Sequence, residues 1–358
     1  MKILTALWLV LISGCGDLGI SHFEEKSYPD KLSDWGLITH SNHRLILHPE
    51  AVVYELNTPL FSDYSQKLRT IYIPEGGVIA YRAEESFGFP VGSVISKTFF
   101  YPKDANGAVL VKSSWSGNPQ DINTQRYKLI ETRLLVKQEK GWDALPYIWS
   151  GEDAYLSETG ALKILYLPSG DRINYLVPSK NQCASCHATH YTEARILPIG
   201  IKFRHLNRAD PVYGINQIKY WRDRGMLKGE RMYQAANLEP TAQDFSLDHQ
   251  ARSYLDINCG HCHNPNGSAD TSALLLDYSD QYTPRQIGVC KPPIAAGQGS
   301  GGFLYSIVPG KADESILSYR LHSVEPAVMM PEIGRSLVHR EGVALVDRWI
   351  NSLSGKCL

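Results

Sequence analysis

Two short cysteine–histidine motifs constrain this chain more than any other feature of its sequence. Residues 183–187 read CASCH and residues 259–263 read CGHCH. In each motif two residues separate the cysteines, and a histidine directly follows the second cysteine. Histidine accounts for only 12 of the 358 residues, so its presence after both cysteine pairs is improbable by chance. The motifs therefore predict one kind of chemistry that occurs twice.

The CxxCH spacing is the attachment signature of c-type haem. Two thiols on one helical turn can form thioethers with the two haem vinyl groups, and the following histidine then lies under the iron. The sequence therefore predicts two covalently bound haem c groups. The expected attachment residues are Cys183 and Cys186 with iron ligand His187, and Cys259 and Cys262 with iron ligand His263.

Other uses of CxxC fit this sequence less well. A zinc ribbon places its two CxxC knuckles about 15–20 residues apart, whereas residues 187–258 separate the two pairs here. A thioredoxin-type CxxC occurs once, beside a βαβ pattern, and needs no following histidine.

The first residues predict export and a lipid anchor. Met1 and Lys2 precede the apolar run ILTALWLVLI, which is followed by Ser13, Gly14 and Cys15. A cationic start and an apolar stretch too short to span a bilayer are typical of a secretory signal. Residues 12–15 resemble a bacterial lipobox, which makes Cys15 the lipidated residue; an ordinary signal peptide is the alternative. Gly16 is not acidic, which slightly favours the outer membrane.

Two cysteines remain, Cys290 and Cys357. In an exported protein an even number of remaining cysteines usually pairs, so we expect a structural disulfide between them, with two free thiols as the alternative.

The chain carries 36 basic and 37 acidic residues and a net charge of −1. This balance argues against a nucleic-acid partner, which normally requires a basic surplus.

The residue patterns predict a multidomain fold, with a β-rich N-terminal domain followed by mainly α cytochrome c-like haem domains. Residues 20–180 alternate Ile/Val/Tyr/Phe/Thr-rich stretches with turn clusters, which favours a sandwich or a barrel. Residues 181–240 contain the first haem-binding segment, and residues 241–358 read as a class I cytochrome c-like domain. The expected strands lie within Gln66–Pro74, Ser93–Pro102, Gln125–Gln138 and Leu162–Pro168, and the expected helices within Asn216–Met226, Leu247–Asn258, Ser315–Leu321 and Gly342–Leu353.

Haem iron usually carries a second axial ligand. For the second haem we predict Met330, which stands before Pro331 in MMPEIG ahead of the terminal helix; Met329 is the alternative. For the first haem the candidates are His205 and Met226, and an open iron site is the third possibility. His190 and Met232 are also near in sequence.

Several long stretches resemble a Shewanella-type family of uncharacterised bacterial dihaem c-type cytochromes. They are Glu55–Pro74, Phe89–Pro102, Glu131–Trp149, Asn181–His187 and Pro326–Ile350. The resemblance implies two covalent haems and electron transfer. The order of a β-rich body followed by CxxCH is also similar to cytochromes P460, which have an open iron site, although no lysine here can be assigned to their lysine–haem crosslink.

These features predict an exported, lipid-anchored protein that passes single electrons between periplasmic donor and acceptor proteins. The alternative is a haem enzyme with an open catalytic site at the first haem, acting on a peroxide or a nitrogen oxide, and with the second haem as relay. The sequence assigns no catalytic residue.

Overall fold

The computed structural model describes residues 20–83, 85–111, 115–188, 195–229, 245–294 and 297–358. The predicted signal peptide, the lipidation site Cys15 and the candidate ligands His190 and Met232 lie outside these ranges. Within them, no helix has both the length and the apolar character needed to cross a membrane.

The largest sheet in the described part of the chain is antiparallel. The strands are β1 (Ile38–Ser41), β2 (Arg44–Leu47), β3 (Val52–Val53), β4 (Gln66–Tyr72), β5 (Ile79–Ala80), β6 (Val94–Pro102), β7 (Tyr127–Lys137), β8 (Trp142–Ser150), β9 (Asp153–Leu156), β10 (Ala161–Tyr166), β11 (Arg172–Val177) and β12 (Leu227–Lys228). Six of them form the main sheet in the order β3-β4-β6-β7-β8-β9. β1 pairs with β2 and β10 with β11, both antiparallel, whereas β12 lies parallel to β5.

Side chains alternate between the two faces of the main sheet, as the pleat requires. Leu68, Val94 and Leu134 point to one face and pack with the N-terminal segment around Trp35. On the other face, Ile71 and Ile95 pack against the segment that follows the first CxxCH motif. Both faces are therefore covered, which explains why most residues of the long strands of the main sheet are buried.

The helices are α1 (Lys180–His187), α2 (Phe203–Leu206), α3 (Gln217–Asp223), α4 (Leu247–Leu255), α5 (Ile316–His322) and α6 (Arg340–Ser352). In the C-terminal part, α4 and α6 pack together. The indole nitrogen of Trp349 donates to Asp248 Oδ1 at 2.8 Å, and Gly342 leaves room for the ring of Tyr254. This crossing fixes the direction in which the chain enters the second CxxCH motif.

The prediction of mainly α haem domains is wrong. Strands account for 26% of the described residues and helices for 22%, and the C-terminal part is not a mainly α cytochrome c-like domain. Between α4 and α6 it consists mostly of turns, with one short helix, α5. In the N-terminal part, helices, loops and the two-stranded sheets β1-β2 and β10-β11 pack on the faces of the main sheet.

Contacts cross the domain boundaries that the sequence suggests. β12, from the segment after the first motif, adds to β5 of the β-rich region. Asn258, directly before the second motif, accepts a hydrogen bond from the backbone N–H of Phe61 at 2.9 Å. Both motifs are thus positioned by the β-rich part of the chain.

Candidate redox site

The first motif lies on α1, which begins directly after β11. Ser179 closes a capping box with Gln182: the Ser179 hydroxyl accepts from the Gln182 N–H at 3.3 Å, and the Gln182 carbonyl oxygen accepts from the Ser179 N–H at 2.9 Å. This local signal explains why the helix starts here. Cys183, Cys186 and His187 are three and four positions apart, so they lie on one side of the helix.

His187 is arranged as a ligand with one ring nitrogen already used. Its Nδ1 lies 2.8 Å from the backbone oxygen of Leu197. A carbonyl only accepts, so Nδ1 carries the proton and the lone pair is on Nε2. Burial, helped by the charge of Lys97, lowers the pKa of His187 to about 3. A neutral imidazole held by a backbone carbonyl is the usual state of a metal-binding histidine.

The second motif begins in a π turn over Asp256–Gly260 that continues α4. Asn258 stabilises this turn, because its side chain donates to the carbonyl oxygen of Tyr254 at 2.9 Å. Such π turns within helices are frequent at functional sites. The ring of His263 is buried, which lowers its pKa, and it hydrogen-bonds the backbone of Leu274.

The second cysteines of the two motifs meet. The interaction between the Cys186 and Cys262 side chains raises the pKa of Cys186 and lowers that of Cys262. Cys262 Sγ also lies 3.5 Å from the backbone oxygen of Ser185. Motifs that are far apart in sequence therefore form one site.

One cavity adjoins this site and encloses about 1060 Å³, including its open mouth. The first motif lines it with Cys183, Cys186 and His187, and the second motif with His261. Its other walls come from the main sheet and from the loops around α6. They include Lys97, Phe99 and Arg133 from the sheet, and Met330, Arg335 and His339 from the loops.

The structure does not place the predicted iron ligands in the pairs that the sequence suggested. Met330 lines the cavity that also holds His187, whereas His263, its expected partner, is not a lining residue. His205 is buried, with Nε2 3.2 Å from Asp256 Oδ2, and burial lowers its pKa to about 4. Met226 packs against the apolar core beneath the sheet. His205 and Met226 therefore hold the fold together and do not face the cavity.

The predicted disulfide partners are joined: Cys290 and Cys357 form a disulfide with their Cα atoms 5.2 Å apart. The four motif cysteines are free thiols.

Sequence reasoning missed Lys97 and Arg133, although a lysine within the apolar run SVISKTFFYP (Ser93–Pro102) is itself a signal of an unusual buried charge.

The prediction of two covalently bound haem c groups is wrong for this structure. In the described ranges, no group of three or more His, Cys, Asp or Glu side chains is arranged to hold a metal ion. The physical reason lies in the meeting of the motifs: Cys186 faces Cys262, and Met330 shares the cavity of His187. In the described part of the chain the two motifs thus adjoin one another.

Comparison with known proteins adds no family: no protein family, curated protein or solved structure matches this chain.

Proposed function

We propose that the protein is an exported electron carrier that passes single electrons between periplasmic donor and acceptor proteins. One observation carries this proposal: His187 and Met330 line a single cavity beside the joined CxxCH motifs. Imidazole and thioether are the side-chain ligands of one-electron carriers.

The surroundings suit electron transfer. Apolar side chains such as Leu60, Phe61 and Ile199 line much of the cavity, and burial among them reduces the local dielectric. A redox group in such a shell changes its oxidation state with little solvent rearrangement, and the shell tunes its potential.

Export is supported by the disulfide between Cys290 and Cys357. Disulfides persist in oxidising compartments and are rare where thiols are kept reduced. The disulfide therefore favours the periplasmic side of the membrane and agrees with the signal that the first residues predict.

An anaerobic spectroelectrochemical titration of the mature protein tests the proposal. A one-electron carrier changes its oxidation ratio tenfold per about 59 mV, whereas a dithiol–disulfide pair does so per about 30 mV. We expect one-electron behaviour. His187→Ala should remove or shift the transition and Met330→Leu should shift it, whereas His22→Ala, at an exposed histidine, should leave it unchanged.

A two-electron transition that disappears in Cys186→Ser would overturn the proposal and assign thiol–disulfide exchange to the motifs. Absence of any redox transition would overturn it as well.

A further inference from the structure

Three basic side chains stand in a row across the main sheet. Arg69 on β4 pairs with Lys97 on β6, and Lys97 pairs with Arg133 on β7. Directly opposed like charges destabilise a sheet. The arrangement therefore needs compensating negative charge.

Arg69 and Arg133, at the two ends of this row, each have a carboxylate partner. Arg69 Nη1 lies 2.9 Å from Glu55 Oε2. Arg133 binds the carboxylate of Glu131 with two nitrogens, at 2.6 and 2.8 Å. The same Glu131 carboxylate also accepts from the Tyr175 hydroxyl at 2.7 Å.

Lys97, in the middle, forms no salt bridge within the part of the chain that the structure describes. Its Nζ lies 5.7 Å from the centre of the Phe99 ring. Burial, together with the charges of Arg69 and Arg133, lowers the pKa of Lys97 to about 7. Among the described residues, Lys97 is thus the member of the row without a salt bridge of its own.

Two neighbouring cations, Lys67 and Arg335, already donate hydrogen bonds to backbone carbonyl oxygens. The ammonium of Lys67 donates to the backbone oxygen of Ser65 at 2.8 Å. Arg335, on the opposite wall of the cavity, donates to the carbonyl oxygens of Met330 and Ser323, each at 2.8 Å. Lys97 is the cation at the cavity whose partner is missing.

The cavity places an apolar wall beside this cation. Lys97, Phe99 and Arg133 line one side, and the remaining lining is largely apolar, with Leu60, Phe61, Ile199, Ile333 and Val343 among its members. A ligand that satisfies both parts has one negative group and an apolar body.

We infer that the cavity binds a small organic monocarboxylate, with its carboxylate on Lys97 and Arg133 and its apolar body against Phe99 and the facing wall. One carboxylate balances the one unpaired charge of the row. Arginine and lysine together are the side chains that recognise such a group. His187 and Met330 line the same cavity, so the carboxylate lies beside the redox site of the proposed function. Its binding at Lys97 involves no electron transfer and is measured by a readout other than the redox titration.

Isothermal titration of the mature protein with four probes tests the inference. The probes are hexanoate, hexanamide as its uncharged analogue, acetate as a carboxylate without the apolar body, and inorganic phosphate as an inorganic anion. We expect hexanoate to bind at least tenfold more tightly than each of the other three.

Lys97→Met should weaken hexanoate binding at least tenfold, and Lys97→Arg should largely retain it. Lys140→Met, at an exposed lysine, is the matched control and should bind as the wild type does. Since Lys97→Met removes an unbalanced cation, its melting temperature should not fall, which shows that loss of binding is not loss of folding.

Equal binding of hexanoate and hexanamide would overturn the charged contact. Tightest binding of phosphate would overturn the organic ligand. Unchanged hexanoate binding in Lys97→Met, or no binding by the wild type, would overturn the site.

Discussion

Asp63 and Ser336 are joined across 273 positions of the chain: the Asp63 carboxylate accepts from the Ser336 N–H at 2.7 Å. The same carboxylate accepts from the Ser336 hydroxyl at 3.0 Å and from the Leu337 N–H at 2.8 Å. Asp63 precedes β4, and Ser336 follows the loop that carries Met330. One side chain therefore ties the β-rich part to the loop that forms a wall of the cavity.

We predict that Asp63→Gly lowers the free energy of unfolding by about 2 to 4 kcal/mol, because two part-buried N–H groups and the Ser336 hydroxyl lose their acceptor. Glycine suits the position, since Asp63 has a φ of 49° and glycine adopts positive φ without strain. Asp63→Asn keeps one acceptor oxygen and should cost about 1 kcal/mol. Urea unfolding measures both. Asp313→Asn, at an exposed aspartate, should be neutral; equal stability of Asp63→Gly and the wild type would contradict the role.

Local patterns in the sequence predicted individual elements well. The strand stretches contain β4, β6 and β7, and the expected terminal helix is α6. The layer that covers the sheet was not predictable in this way, because α1 to α3 are short and carry little periodicity of their own. Ile218 and Trp221 are buried by the sheet rather than by a helical partner, and the expectation of a mainly α arrangement failed for this reason.

At the site, too, the local motifs were predictable from the sequence and the contacts between distant segments were not. CxxCH and MMPEIG are local motifs, and Cys183, Cys186, His187 and Met330 do line one cavity. The meeting of Cys186 with Cys262 depends on how two distant segments pack, and no residue pattern reports it. The charge row at Lys97 depends on strand register, which is fixed only when β4, β6 and β7 pair.

Gly342 on α6 makes room for Tyr254 on α4. A Cβ atom at this position would lie 2.4 Å from two ring carbons of Tyr254. We predict that Gly342→Ala destabilises the protein by about 1 to 2 kcal/mol in urea unfolding, because the clash outweighs the gain in helix propensity. Gly141→Ala, where an added Cβ meets no atom within 4 Å, should change little. A gain in stability from Gly342→Ala would show that α4 and α6 do not cross this closely.

The disulfide closes a long loop, since Cys290 and Cys357 are 67 positions apart. The chain-entropy relation for such a loop gives a stabilisation of about 4 kcal/mol. We predict a loss of this order in urea unfolding for the double variant Cys290→Ser, Cys357→Ser. The reduced wild type should match the variant if the cross-link itself is the cause. A reduced wild type as stable as the oxidised one would assign the loss to the substitutions instead.

The buried cluster of His205, Arg204 and Asp256 should make stability depend on pH. Arg204 binds the Asp256 carboxylate at 2.6 and 2.9 Å, so His205 remains neutral, and burial lowers its pKa from 6.5 to about 4. Between these values the unfolded chain binds a proton that the folded chain does not, so the free energy of unfolding falls as the pH falls from 6.5 to 4. The loss of unfolding free energy from this residue is about 3 kcal/mol.

His205→Gln should therefore reduce the pH slope of urea unfolding in this window by about one proton, whereas His22→Gln, at an exposed histidine, should not. An unchanged slope in His205→Gln would mean that His205 is protonated in the folded protein and pairs with Asp256 as a cation.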